Sequence, residues 1–197
     1  GTLAHLTQRH RIRVHDQVMA EQIDLQLRND FSQEVEVSAR FELTHDQKVD
    51  GFSYYNGAEK IVGEVLEKQA AREVYSQLTG MQRDPGIVEQ EGNFFRFSVF
   101  PVAPGETKPV QLMTVRSLAT RRDWVTIRIP ARNLPEDPKA VVTLDLEISD
   151  DVPIGKLEVE GLNALAERRS ERLFSLRHET LRADISGDIR IRYQLRS

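Results

Sequence analysis

Hydrophobic and polar side chains alternate along most of the chain. Arg9, Arg11 and Arg13 interleave with His10, Ile12 and Val14, and Ile23, Leu25 and Leu27 follow with polar residues between them. The same period of two recurs at Val35, Val37, Ala39, Phe41 and Leu43, at Phe95, Phe97 and Val99, and at Val125, Ile127 and Ile129. It returns at Val142, Leu144, Leu146 and Ile148, and again at Ile189, Ile191, Tyr193 and Leu195. That period predicts half-buried β-strands. The parity slips between Ala20 and Ile23, around Glu21-Gln22. A slip of one residue sends every later side chain to the other face, so a β-bulge or bend is expected there.

Turn-forming residues separate these runs: Arg28-Asn29-Asp30, Asn56-Gly57, Asp84-Pro85-Gly86, Glu91-Gly92-Asn93, Pro104-Gly105-Glu106, Pro135-Glu136-Asp137-Pro138 and Ser186-Gly187-Asp188. Short strands punctuated this way predict an antiparallel β-sandwich rather than a parallel α/β sheet. One segment departs from the period. Leu66, Ala70, Val74 and Leu78 fall four apart, Glu64 and Glu67 open the segment and Gly80 follows it. This predicts one amphipathic helix at about residues 64–79, of about four turns, with the Tyr75 ring against the sheet. Residues 162–173 read as a second short helix or as a polar loop. The expected fold class is therefore all-β with one helix.

Composition narrows the class of protein. The 197 residues are 39% hydrophobic, enough to build a core, and there is no Cys, which excludes disulfides and thiolate metal sites. Lys+Arg is 27 against Asp+Glu 31, a net charge of −4, so no global basic field recruits nucleic acid. The arginines at 9–13, and those at 168–196 with acids interleaved at Glu167, Glu171, Glu179, Asp184 and Asp188, read as solvated strand faces. No apolar run reaches the roughly 18 residues of a membrane helix, so no membrane insertion is expected. The chain opens Gly1-Thr2 without Met and is expected to be a piece of a longer protein. No Asn begins an Asn-x-Ser/Thr sequon, which points away from a eukaryotic secreted protein and towards a bacterial one.

The search for chemistry yields little. His5, His10, His15, His45 and His178 show no metal-ligand spacing, and the chain has no nucleophile elbow, phosphate-binding loop or EF-hand. No catalytic residue, metal or cofactor is expected. Asp184-Ile185-Ser186-Gly187-Asp188 partly resembles the metal loop of von Willebrand factor type A domains. It leads into a strand rather than a helix, so a plain turn is the better reading.

The middle of the chain resembles the vault protein/inter-alpha-trypsin (VIT) domain. The likeness rests on Ile61 to Tyr75, which matches the pattern Gly-x-Val-x-Glu-Lys-x-x-Ala-x-x-x-Tyr. Leu27-Arg28-Asn29, Arg40-Phe41-Glu42-Leu43, Asp84 to Glu89 and Phe95 to Glu106 follow in the family's order, with Thr44 where the family usually carries Pro. The resemblance covers about residues 10–118. It implies a VIT-like sandwich domain over 1–118 and a β-rich extension over 119–197, packed on it or continuous with it, before a von Willebrand type A domain. It also implies a non-catalytic interaction or scaffold module, extracytoplasmic, whose protein partners include that type A domain. The contact surface expected from these readings is Tyr54 and Tyr55 at the turn, with Glu67, Lys68 and Arg72 on the helix. The alternative is a glycan-binding or adhesin sandwich.

Overall fold

The computed structural model describes residues 3–44, 46–67, 86–91 and 93–196. The alternating segments form strands, and the strands form three sheets. The largest has eight strands in the order β14 (Glu167–Ser170), β15 (Leu173–Leu181), β12 (Val141–Ser149), β1 (Leu3–His15), β2 (Val18–Asn29), β9 (Thr107–Ser117), β4 (Lys48–Asn56) and β5 (Glu59–Val62). One four-stranded sheet runs β10 (Thr120–Arg121), β11 (Trp124–Ile129), β16 (Ile189–Leu195), β13 (Ile154–Glu160). The other runs β3 (Val35–Glu42), β8 (Phe94–Val102), β7 (Gly86–Glu91), β6 (Glu64–Glu67).

Register decides which side chains share a face. Ile12 stands opposite Leu146 and Glu21, Ile23 opposite His10 and Leu112, and Leu112 opposite Phe52. One face of the long sheet therefore carries the apolar set of β12, β1, β2, β9 and β4 together. Two cores sit on it side by side. Ile12, Val14 and Leu146 pack with Val125, Ile127, Ile191 and Tyr193 in the first. Ile23, Leu25 and Leu112 pack with Phe41, Phe52, Phe95 and Phe97 in the second. Each is a sheet-on-sheet sandwich, and the two share the eight-stranded sheet. Strands from both sides of residue 118 enter that sheet, because β12 pairs with β1 in parallel register.

Asn29, in the Leu27-Arg28-Asn29 segment, has a structural task. Its amide nitrogen donates to the carbonyls of Gln33 and Val102, and its side-chain oxygen accepts from the Phe31 N–H. Fully buried and fully satisfied, it ties the end of β2 to the end of β8.

Three expectations need correction. Glu64–Glu67 is strand, paired in parallel with β7 from Glu64↔Ile87 to Glu67↔Gln90, so the expected helix does not begin there. A ladder supplied by a distant segment overrides the local period. Residues 68–79, with Tyr75, lie outside the described residues. Next, β2 has no bulge: Met19, Glu21, Ile23, Leu25 and Leu27 are buried in unbroken alternation. The apparent slip marks a buried acid at Glu21, and the register shift of this hairpin falls in β1 between His5 and Thr7. Finally, of residues 162–173, read as a short helix or a polar loop, 163–166 are loop, and Glu167–Ser170 pairs with Leu173–Leu181 in the β14–β15 hairpin, with no helix.

Candidate functional site

Between the two cores, the long sheet carries a polar seam. Gln8, His10, Glu21 and Thr114 are buried there, where apolar residues flank them along the same strands. The Gln8 amide nitrogen donates to the Asn133 carbonyl at 2.7 Å and to His10 Nε2 at 2.8 Å. An amide NH₂ only donates, so His10 Nε2 accepts and its ring proton sits on Nδ1, facing Glu21 at 3.8 Å. Thr114 accepts a hydrogen bond from Gln47, and Arg116 donates to Thr44. Burial pushes the Arg116 guanidinium down, opposed by the charges of Asp46 and Glu21.

The 3₁₀ turn Ala131–Asn133 bridges the halves across this seam. The Asn133 side chain accepts from the Glu42 N–H at 2.7 Å and donates to the Glu42 carbonyl at 2.8 Å. Glu42 also pairs with Arg132 at 3.2 Å. Behind the turn, Asp188 accepts from the Ala131 N–H at 2.8 Å and from Arg128 at 2.7 Å. That amide, and then Arg128, hold the Asp188 carboxyl below the usual carboxylate range. The partial metal-loop likeness at Asp184–Asp188 therefore resolves into an anchor for this turn.

A cleft of about 350 Å³ opens where the seam meets the surface. Leu25 and Leu27 of β2, with His5 and Gln8 of β1, line one side, Val37 to Phe41 of β3 another, and the loop Arg132 to Asp137 the third. Burial pushes the His5 imidazole down to about 4, against a hydrogen bond with the Thr7 backbone and the nearby Asp137 charge, and its Nε2 is buried without a protein partner. His5 is thus neutral in the folded chain at neutral pH. The unfolded chain takes up its proton near pH 6.5, the folded one only near 4. No penalty exists above pH 6.5; it grows as pH falls to 4 and is constant below. The full shift corresponds to at most about 3 kcal/mol, and partial exposure reduces this to about 1–2 kcal/mol. Urea melts at pH 7.0 and pH 4.5 should show the difference shrink by that amount in a His5→Gln variant. Equal pH sensitivity in both proteins would refute this role for His5.

The expected contact residues fare unequally. Tyr54 is buried in the second core beside Phe52, so its ring packs the sandwich and is not available to a partner. Tyr55 is exposed, on the opposite parity of β4. Glu67 lies on β6, and Lys68 and Arg72 lie outside the described residues. Neither Tyr54 nor Tyr55 lines the cleft. His15, Asp16 and Asp151, unconnected in the sequence reading, also converge, with ligand-type atoms within 4.8 Å of one another. All three are exposed. Asp16 accepts the Asp151 N–H at 2.7 Å and pairs with His15 at 3.3 Å, which holds the β1–β2 turn in place.

Two sandwiches on one continuous sheet, with a lined cleft at their junction, define an all-β module. The chain belongs to the vault protein inter-alpha-trypsin domain family, whose model matches residues 7–114, from β1 into β9. The match spans the second core and, of the cleft, Gln8, Leu25 and Leu27 on one side and Val37 to Phe41 on another. No curated protein matches the chain. Among solved structures, a candidate nutrient-binding protein from Legionella pneumophila is similar with a TM-score of 0.57 at 11% identity, over 98% of this chain and 67% of that one. An M1 zinc metallopeptidase from Deinococcus radiodurans gives 0.48 at 11% identity, over 98% of this chain and 42% of that one. Leukotriene A4 hydrolase from Saccharomyces cerevisiae gives 0.48 at 10% identity, over 96% and 29%. The chain thus spans less than half the length of the metallopeptidase. The likeness to the Legionella protein shows the fold alone, and the other two carry no argument.

Proposed function

We propose that this chain is a non-catalytic protein-interaction and scaffold module of a larger protein, extracytoplasmic in a bacterium. Its partners would include a von Willebrand type A domain of the same polypeptide. The observation that carries this reading is the open edge of β3 beside the cleft. A strand with unpaired backbone groups on a rigid frame is a standing invitation to another chain. Burial of the polar seam, with Asn133 and Glu42 joined across it, keeps that frame stiff. Membership of the VIT family supports the same reading.

The glycan-binding alternative needs exposed aromatic rings on one face. Phe52 and Tyr54 are in the core, leaving Tyr55 alone at its turn, which favours the protein-interaction reading. The test is affinity capture with the purified chain from soluble and envelope fractions of its source, with and without EDTA. A single partner bound saturably, displaced by free chain and recovered with EDTA is the expected result. Glycan binding with no saturable protein partner would replace this reading with the alternative.

A further inference from the structure

We infer that the cleft beside β3 takes an extended peptide segment as an added strand, with an apolar side chain directed at Leu25, Leu27 and Leu134 and a Lys or Arg at its mouth. This rests on the interaction reading and names the partner chemistry for the same site. The first support is the edge itself, since among the described residues β3 pairs only with β8. The register is unbroken from Val37↔Val99 to Glu42↔Phe94. In an antiparallel pair, the N–H and C=O of one residue point to the same side, and successive residues alternate. Glu42 turns both groups outward, to the Asn133 side chain at 2.7 and 2.8 Å. Ser38 and Arg40 share that parity, so their N–H and C=O groups face the cleft. Among the described residues no backbone group pairs with them on that side.

Asn133 already mimics a neighbouring strand at one position and marks where an added strand would stop. The five consecutive residues Val37–Phe41 all line the cleft, so it runs along the strand edge rather than over one face. The Ser38–Arg40 repeat, about 6.8 Å, offers two donors and two acceptors to a peptide backbone. The apolar wall opposite sets the inward side chain.

Charge selects the flank. Arg132 is paired with Glu42, and Arg40 lies over the Phe94 ring at 3.9 Å. Glu136 and Asp137 at the mouth have no ion-pair partner among the described residues, and His5 beside them is neutral. With Arg132 paired and Arg40 counted against Glu136 and Asp137, the net charge left in the cleft is negative, and it favours a basic residue.

The test is selection of random heptapeptides displayed on phage against the immobilised chain, followed by fluorescence anisotropy with the enriched peptide. The expected consensus is an apolar residue followed within two or three positions by Lys or Arg. N-methylation at alternate peptide residues should weaken binding about tenfold or more, the loss expected for one or two backbone hydrogen bonds. Ser38→Pro removes an outward N–H and the exposed hydroxyl that accepts from Arg96 at 3.5 Å, which an edge strand tolerates, and should do the same with its circular dichroism unchanged. Glu136→Lys with Asp137→Lys, on the exposed loop, should weaken binding about fivefold at low salt and less at high salt. Overturning results are no enriched peptide, or an enriched peptide whose affinity ignores N-methylation, Ser38→Pro and the loop variant. If a partner protein still binds Ser38→Pro normally while no peptide is selected, the interaction reading survives and this inference fails.

Discussion

Replacing Phe97 with alanine is expected to lower stability by about 3–5 kcal/mol, the range for deleting a fully buried aromatic ring. Phe97 has no exposed surface, and its ring lies 5.2 Å from Phe52 and 6.4 Å from Phe41, which in turn stacks on Phe95 at 5.2 Å. It therefore joins β8 and β3 to β4 through one aromatic cluster, and the rings of Phe41 and Phe52 would border the cavity. Rings fixed by their own strands cannot collapse into it, so the cost belongs at the upper end. For a chain of this size, the midpoint should fall by about 6–20 °C. Phe97→Leu refills much of the volume and should cost about 1–2 kcal/mol. Urea unfolding with an unchanged m-value checks both. A loss below about 1 kcal/mol for the alanine variant would mean that this aromatic cluster does not hold the second sandwich.

Gly161→Ala is the second large effect. Gly161 follows β13 with φ +88°, and an added Cβ would lie 2.3 Å from the Asp188 carbonyl oxygen and 3.2 Å from the Ile189 Cα. Both atoms are backbone at the entrance to β16, so no rotamer relieves the contact. The unfavourable φ costs about 1–3 kcal/mol, and overpacking adds a similar amount, giving about 2–6 kcal/mol together. Gly187 provides the control. It also has positive φ, +72°, but its Cβ would meet open space, so Gly187→Ala should cost only about 1 kcal/mol. Thermal melts of the two variants separate clash from conformation, and equal losses would refute the clash. The damage should also reach the cleft. Asp188 anchors Ala131 and Arg128, so a shifted Asp188 carbonyl loosens the wall formed by Arg132 to Asp137.

The core was largely legible. Phe95, Phe97 and Val99, the Val125 and Val142 runs, and Ile189 to Tyr193 are all buried as their alternation predicts. Glu21 was not, because a hydrophobic pattern reads a buried acid as an error in register. Only the approach of His10 and the fold of β1 onto β2 make its burial tolerable. Two hairpins also escaped. Asp16-Gln17 and Arg122-Asp123 take positive φ at both turn positions without a glycine to announce it. The cleft was illegible for a different reason: β1, β2, β3 and residues 132–137 are far apart in the chain, and none carries a chemical motif. Tyr54 and Tyr55 attracted attention as aromatic neighbours, but strand parity buries one and exposes the other.

By itself the sequence determined the clearly alternating strands β1, β2, β3, β8, β11, β12 and β16, their inward faces, several of their turns and the family signature, because side-chain alternation and turn chemistry are local properties of consecutive residues. Tertiary structure decided the rest. The parallel pairing of β1 with β12 put the two sandwiches on one shared sheet. Pairing with Gly86–Glu91 made Glu64–Glu67 a strand. The position of Asn133 closed part of the β3 edge and left Ser38 and Arg40 open. Each of these depends on which distant backbone arrives to satisfy a row of donors and acceptors, and no local pattern encodes that choice.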